Sequence, residues 1–518
     1  MGRRRNKEKE LDKNPIQADH DPVFEAAQKL TDIDLLRRDK ELQKAKRLCT
    51  DLLKQHPDYV GALHSMGMIL YDLGQFEKSL VPLSKANALC PEYVPAAVGL
   101  ARASVQLGRI EYALGLMEQA ERINPADVSV VRTLAMIWKL KRNCHRAIEY
   151  YRRLTELDPN DLGALESLVL FYTEAGQLEN AGNLCNELVR TGRANIGVLS
   201  CLSTLPVQLV EVDLLTALDS QDLLTDECER AANFVKANVY HKQNEPELAW
   251  EKILLANAAM AQEDEAYWED KKQEREVLQS DIQALANGNQ TPQFDAADWP
   301  TTLFILGPSR AGKSTFEKFM CANNLVTAGF ESTLIADVMN TTMLGSRCIN
   351  INHVSEMPAS LLPDFRKTYR RELEAHLAGG TVLVNTHPGM LFILPWCCQN
   401  IPNFNIVFVK RERLDLIFSS MIKNYHAVSP NNHFSVPLLD EYLDWYYGTA
   451  DALTAQVPDI CRTICYEDMI EDPATAVKMI STLCGIEPQV NNLPSVGDDR
   501  GVAAPYKTFI QAALTRPA

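Results

Sequence analysis

A chain of 518 residues, 46% hydrophobic and 23% charged, is too long for one hydrophobic core, so two or three domains are expected. The formal net charge of −16 argues against nonspecific nucleic-acid binding, because neutralising phosphates takes an excess of Lys and Arg, and any basic site must be local. No stretch supplies the roughly 18 uninterrupted apolar residues of a membrane span, and the longest apolar runs, Leu391–Cys398 and Ile406–Val409, have the length of core elements.

Residues 1–25 begin with the basic run MGRRRNKEKE and lack the apolar centre of a signal peptide. Asn6 stands where a myristoylation signal wants Ser or Thr. A disordered, charged tail and a cytoplasmic location are expected. The thirteen cysteines include no CxxC pair and read as reduced thiols. The neighbours Cys397 and Cys398, and Cys461 with Cys465, have no His or Cys cluster of ligand spacing beside them.

From residue 26 the chain repeats. Pro57, Pro91, Pro125 and Pro159 recur every 34 residues, and Gly74, Gly108 and Gly176 keep the same register. Ala45, Ser79, Ala113, Ala147 and Ala181 share one position of the unit, and Ala86 and Ala120 another, where two helices approach too closely for a large side chain. The unit Gly61–Pro91, GALHSMGMILYDLGQFEKSLVPLSKANALCP, resembles the tetratricopeptide repeat (TPR), with Gly67, Leu70, Ser79, Leu83, Ala86 and Pro91 at that family's signature places. The resemblance covers about residues 26–193, some five repeats, with a diverged copy at about 230–262 carrying Ala237, Ala249, Ile253 and Ala256 in phase. It implies an all-α superhelix whose groove takes a protein or peptide partner. A spacer or dimerisation role is the alternative.

Residues 194–290 read as a helical extension, and the run QEDEAYWEDKKQEREVLQSDIQALA as a solvated helix. NGNQTPQFDAADWP then breaks it, which places a boundary near Gly288–Pro300 and an α/β domain over residues 291–518. There TTLFIL reads as a buried strand, GPSRAGKS as a loop and TFEKFMCANN as a helix; STLIA, TVLVN, NIVFV and RTICY read as further strands of a mostly parallel sheet.

Gly307, Arg310, Ala311, Gly312, Lys313, Ser314 and Thr315 form a phosphate-cradling P-loop between strand and helix: glycines let backbone N–H groups converge on an anion, Lys313 adds a point charge, and Ser314 or Thr315 a hydroxyl. The loop alone does not name the nucleotide. A triphosphatase needs an acidic strand end for magnesium, and TVLVN ends in Asn385, Thr386 and His387, with Asp337 after STLIA a weak substitute.

Three later segments resemble the sulfotransferase family. VNTHPGMLFILP, Val384–Pro395, resembles the Thr-His segment of the cytosolic members, which implies His387 as general base. NIVFVKRERLDLIFSSMIKNY, Asn405–Tyr425, resembles their 3′-phosphate segment, which implies Arg411, with Asp415 nearby and Ser419 at the start of the following helix. CYEDMIEDPATAVKMISTLCGIE, Cys465–Glu487, resembles their Tyr-Glu-Asp segment, which implies Tyr466 near an adenine. The resemblance spans about residues 300–490 and implies 3′-phosphoadenosine 5′-phosphosulfate (PAPS) as donor, no metal, Lys313 and Arg310 on the leaving group, and an acceptor that the sequence does not disclose. The loop departs from the family's Pro-Lys/Arg-Ser-Gly-Thr-Thr by placing Lys313 at the first Thr, and Arg500, Tyr506 and Lys507 are candidate closing ligands without a clear match. A P-loop kinase or NTPase, and a non-catalytic repeat scaffold with a nucleotide-binding domain, remain alternatives.

Overall fold

A computed structural model describes residues 22–141, 143–221, 225–287, 299–329, 331–342, 357–377, 379–425 and 433–515. Residues 1–21 of the expected tail and 288–298 of the expected boundary lie outside them, and a helix runs Pro22–Arg38. The chain divides into two compact units, residues 1–171 and 172–518.

In the first unit helices follow one another in packed pairs: Pro22–Arg38 with Leu42–Gln55, Val60–Asp72 with Phe76–Leu89, Val94–Gln106 with Ile110–Ile123, and Val128–Leu140 with Cys144–Leu157. The periodic small residues explain the pairing. Ala45, Ser79, Ala113 and Ala147 are fully buried. Gly74 and Gly108, with φ of 71° and 72°, close the first helix of their pairs in the left-handed conformation that suits glycine. Asp127 and Asn143 cap the fourth pair, accepting from Ser129 N and Val130 N and from Arg146 N. Gly67 sets the approach within the second pair, since a Cβ there would lie 2.3 Å from Leu83 Cγ. Gly67→Val is therefore expected to cost about 1–3 kcal/mol by overpacking, read as a lower urea midpoint for the repeats; an unchanged midpoint would show that Leu83 swings aside freely.

The second unit begins with helices that include Leu178–Arg190, Ile196–Thr204, Asp226–Lys242, Pro246–Asp270 and Lys272–Asn287. Ala237, Ala249, Ile253 and Ala256 are fully buried where the third and fourth of these pack together. The charged run at 262–286 departs from a solvated helix. Asp264, Trp268, Arg275, Leu278 and Ile282 are buried, because Asp264 accepts from Phe434 N at 2.7 Å and pairs with His433, while Trp268 Nε1 donates to Glu441 at 2.9 Å. The run is amphipathic, and Asp264 and Trp268 on its buried face find polar partners on the α/β layer.

That layer is a five-stranded parallel sheet of β1 (Thr301–Leu306), β2 (Val326–Ala328), β3 (Val382–Asn385), β4 (Phe404–Lys410) and β5 (Cys461–Cys465), in the order β2-β3-β1-β4-β5. All six residues of β1 are buried, as a central strand covered on both faces requires. STLIA is not a strand: Leu334–Thr342 is a helix, started by Ser332 Oγ accepting from Leu334 N and by Thr333 Oγ1 donating to Asp337. Leu334, Ile335, Val338 and Met339 are its buried stripe, at helical rather than alternating spacing. The strand comes earlier, as VTA, and Asp337 consequently sits in a helix and not at a strand end.

After β1 the chain runs out to β2 and β3 on one side, then returns to β4 and β5 on the other. The connections following β1 and β4 thus diverge, opening a crevice at the carboxyl ends of those two strands. It holds the phosphate-loop motif and Arg411.

Candidate functional site

The loop between β1 and the Lys313–Met320 helix is shaped by three backbone constraints. A Cβ at Gly307 would lie 2.6 Å from Val409 O, so the loop leaves β1 pressed against β4. Arg310 has φ 68° and Gly312 φ 101°, left-handed positions that fold the loop tightly, and between them Ala311 N closes a turn onto Pro308 O at 3.2 Å. Gly312, where a Cβ would meet the Tyr466 ring at 2.4 Å, begins the helix without a side-chain cap, leaving the first-turn amides for an anion.

Lys313 arches back over this loop, its Nζ donating to Gly307 O at 2.7 Å and Pro308 O at 3.0 Å. Burial pushes its ammonium down to about 8, against the opposing pull of the Glu331 carboxylate. Ala311 is buried beneath the loop, Thr315 is half-buried and Ser314 is exposed. Lys423 is also held below the ordinary lysine range, by desolvation and by the like charge of Arg310. Cations so collected favour a multiply charged anion.

Arg411 directly follows β4 and is 5% exposed. Its guanidinium donates to Arg310 O at 3.0 Å and Asp499 O at 2.7 Å, and stacks on Tyr466 with Cζ 4.6 Å from the ring centroid. Its Nε–H is buried with no partner. Tyr447 fixes the backbone at this point, accepting from Arg411 N at 3.1 Å and donating to Arg411 O at 3.0 Å. Asp415 binds the C-terminal segment through Gly501 N at 2.6 Å and Ala503 N at 2.9 Å, and the Tyr466 hydroxyl accepts from Asp499 N at 3.4 Å.

Direct contacts thus join Arg310, Gly312, Arg411 and Tyr466, with Lys313 on the same loop. Ser419 is placed differently from the expectation: it lies in the last turn of the Arg413–Met421 helix, because that helix is only nine residues long and starts two residues after Arg411. It is buried there. His387 caps the short helix after β3, its Nδ1 accepting from Gly389 N at 3.1 Å. A neutral ring held in this way carries its proton on Nε2 and is a donor at that atom. Arg500 forks onto Asp498, Lys507 is exposed, and Tyr506 stacks on Phe418 with its hydroxyl 2.9 Å from His241 Nδ1. Burial raises the Cys397 and Cys398 thiols, the latter to about 12, which leaves them unreactive as nucleophiles.

Sequence reasoning missed Glu331, Lys423 and Tyr425. Glu331 follows β2, and assigning the strand to STLIA hides it. Lys423 and Tyr425 close the segment that carries Arg411, but nothing in their spacing shows that the chain turns back to the loop.

Residues 300–489 match the sulfotransferase family. The chain carries a sulfotransferase-family domain. Its N-terminal region is similar to TPR proteins of known structure. MamA residues 41–end from Desulfovibrio magneticus RS-1 is 17% identical, covering 32% of this chain and 95% of that one, with a TM-score of 0.30. TTC0263 from Thermus thermophilus, a thermophilic TPR protein, is 20% identical over 33% of this chain and 94% of its own, with a TM-score of 0.30. YrrB, described as a TPR protein with an unusual peptide-binding site, is 18% identical over 33% and 88%, with a TM-score of 0.28. An uncharacterized protein of Aquifex aeolicus (strain VF5) is 19% identical over 349 residues, 65% of this chain; the chain spans 45% of the length of that relative. No helix among the described residues is long and apolar enough to cross a membrane.

Proposed function

We propose that the sulfotransferase-family domain moves a sulfuryl group from PAPS to a hydroxyl or amine of an acceptor. The observation that carries this reading is Arg411: a buried guanidinium tied to the Arg310 carbonyl keeps its Nε–H unpaired beside a loop already shaped for an anion. A donor with phosphates at both the 5′ and 3′ positions asks for two such places. The loop at Gly307–Thr315 would hold the 5′ end, Arg411 the 3′-phosphate, and Tyr466 the adenosine side, with Ser419 a further 3′-phosphate candidate from its buried position.

In the transfer, the acceptor heteroatom bonds to sulfur as the bond from sulfur to the 5′-phosphate oxygen breaks, and the electron pair leaves on that oxygen. Lys313 and Arg310 would stabilise the charge gathering there. The acceptor's proton goes to a base. His387 takes that role only if its ring gives up the Gly389 contact or shifts its proton from Nε2; Glu331, whose carboxylate acts on Lys313, is the second candidate. His387→Ala is expected to spare nucleotide binding and abolish transfer. Survival of transfer in that variant, with loss in Glu331→Gln, would assign the base to Glu331.

Gly312-Lys313-Ser314 also suits a nucleoside triphosphate, with Ser314 exposed at the helix start, and this is the observation behind a kinase or NTPase reading. The end of β3 argues against it by presenting Asn385 and Thr386 in place of a carboxylate. The repeats would present a protein or peptide acceptor, or bind a partner, in a cytoplasmic setting. Incubating the full chain with sulfur-labelled PAPS and a proteome-derived peptide mixture tests the reading: label on peptides with stoichiometric bisphosphate release supports it, whereas bound donor never turned over points to the non-catalytic scaffold.

A further inference from the structure

Resting on the nucleotide reading above, we infer that the helical layer of residues 226–270 is a working part of the anion site, and that Arg230 positions that site from outside the sulfotransferase-family domain. Beyond the Arg413–Met421 helix, residues Ile422–Tyr425 belong to no helix or strand, yet they deliver two groups to the phosphate loop. The Tyr425 hydroxyl lies 2.6 Å from Ser309 Oγ, and the Lys423 ammonium is near enough to Arg310 to feel its charge.

The backbone of this segment is held by the helical layer. Arg230, in the Asp226–Lys242 helix, donates to Tyr425 O at 2.7 Å, and Asn257, in the Pro246–Asp270 helix, donates to Met421 O at 2.9 Å. Both donors are buried, 195 and 164 residues from their acceptors. Burying a guanidinium is costly and a leucine would fill the same space, so packing alone does not explain Arg230. A charged fork aimed at one carbonyl fixes where Tyr425 stands, and through it where Ser309 and Lys423 stand. Arg310 and Lys423 repel each other in the absence of an anion, so something must hold them in place beforehand; an anchored segment does this and spares the site reorganisation on binding.

The test is calorimetric titration of the full chain with adenosine 3′,5′-bisphosphate. Arg230→Ala is expected to weaken binding about tenfold, the effect of one charge-assisted hydrogen bond, and Arg230→Lys to recover most of it. Tyr425→Phe should weaken binding similarly, and the Arg230→Ala/Tyr425→Phe double variant no more than the weaker single one. Arg275→Met removes another buried arginine-to-carbonyl contact, from the Lys272–Asn287 helix to Trp268 O; it should lower the melting temperature and leave affinity alone. Equal affinity of folded Arg230→Ala and wild type, or a loss shared by Arg275→Met, would overturn the inference and leave the nucleotide reading standing. Failure of the wild type to bind the bisphosphate would overturn both.

Discussion

Replacing Lys313 with methionine is expected to lower sulfuryl transfer by about a hundred- to a thousandfold, the scale of removing one positioned charge from a developing oxyanion. The methionine keeps length and apolar contacts, so the helix Lys313–Met320 and the loop fold should survive. The pH dependence gives a second handle. Burial pushes the ammonium down to about 8. Lys313 is therefore charged below that pH and progressively neutral above it, and bisphosphate affinity should fall as pH rises through about 8 to 9. The same slope should be absent from Lys313→Met. Stability moves the other way. An unfolded lysine titrates near 10.5, so between about 8 and 10.5 the unfolded chain binds more protons than the folded one, and Lys313 contributes a stability that rises with pH over that window. Matched titrations at several pH values and a pH series of urea midpoints separate the two effects; a slope that persists in Lys313→Met would assign the titration to another group.

Arg411→Met is expected to carry the second large effect, because this side chain makes structural contacts in addition to the binding role proposed for it. It satisfies the carbonyls of Arg310 and Asp499, and it lies against the Tyr466 ring that also packs on Gly312. Removing it leaves two acceptors without their charged donor, a loss of roughly 2–4 kcal/mol in unfolding free energy. Affinity for adenosine 3′,5′-bisphosphate should drop by roughly 1.5–3 kcal/mol, about tenfold to more than a hundredfold. Arg411→Lys is expected to fall between, since an ammonium can reach one carbonyl but cannot span two and stack at once. Denaturant unfolding and titration of the same preparations distinguish the contributions. A destabilised variant with wild-type affinity would make Arg411 a strut of the crevice and move the second phosphate elsewhere.

The legible parts of this molecule are those written in contiguous residues. The 34-residue spacing of Pro57, Pro91 and Pro125, with small residues at Ala45, Ser79 and Ala113, is a helix-pair signature because each contact it encodes is made within the pair or to the next one. Gly307–Thr315 is legible for the same reason: strand end, loop and helix start follow without interruption. STLIA misleads because a short apolar run with a β-branched residue fits a buried strand and a helix stripe alike, and only the hydrogen bonds of Ser332 and Thr333 choose between them. Ser419 falls at the other end of its helix from the one expected, because distance from Arg411 does not fix where that helix starts. The grip of Arg230 and Asn257 on residues 421–425 has no local trace at all, since it joins residues more than 160 positions apart.

Everything proposed for the crevice between the ends of β1 and β4 depends on its being built for a nucleotide with phosphates at two positions, and not for a triphosphate held by magnesium. A pair of calorimetric titrations on the full chain decides this, one with adenosine 3′,5′-bisphosphate in chelator and one with ATP in magnesium. Saturable, one-to-one bisphosphate binding is expected, undisturbed by chelator and weakened in Arg411→Met. Tight, magnesium-dependent ATP binding with the bisphosphate inert would contradict the two-phosphate reading, and would make the Lys313 loop a triphosphate site.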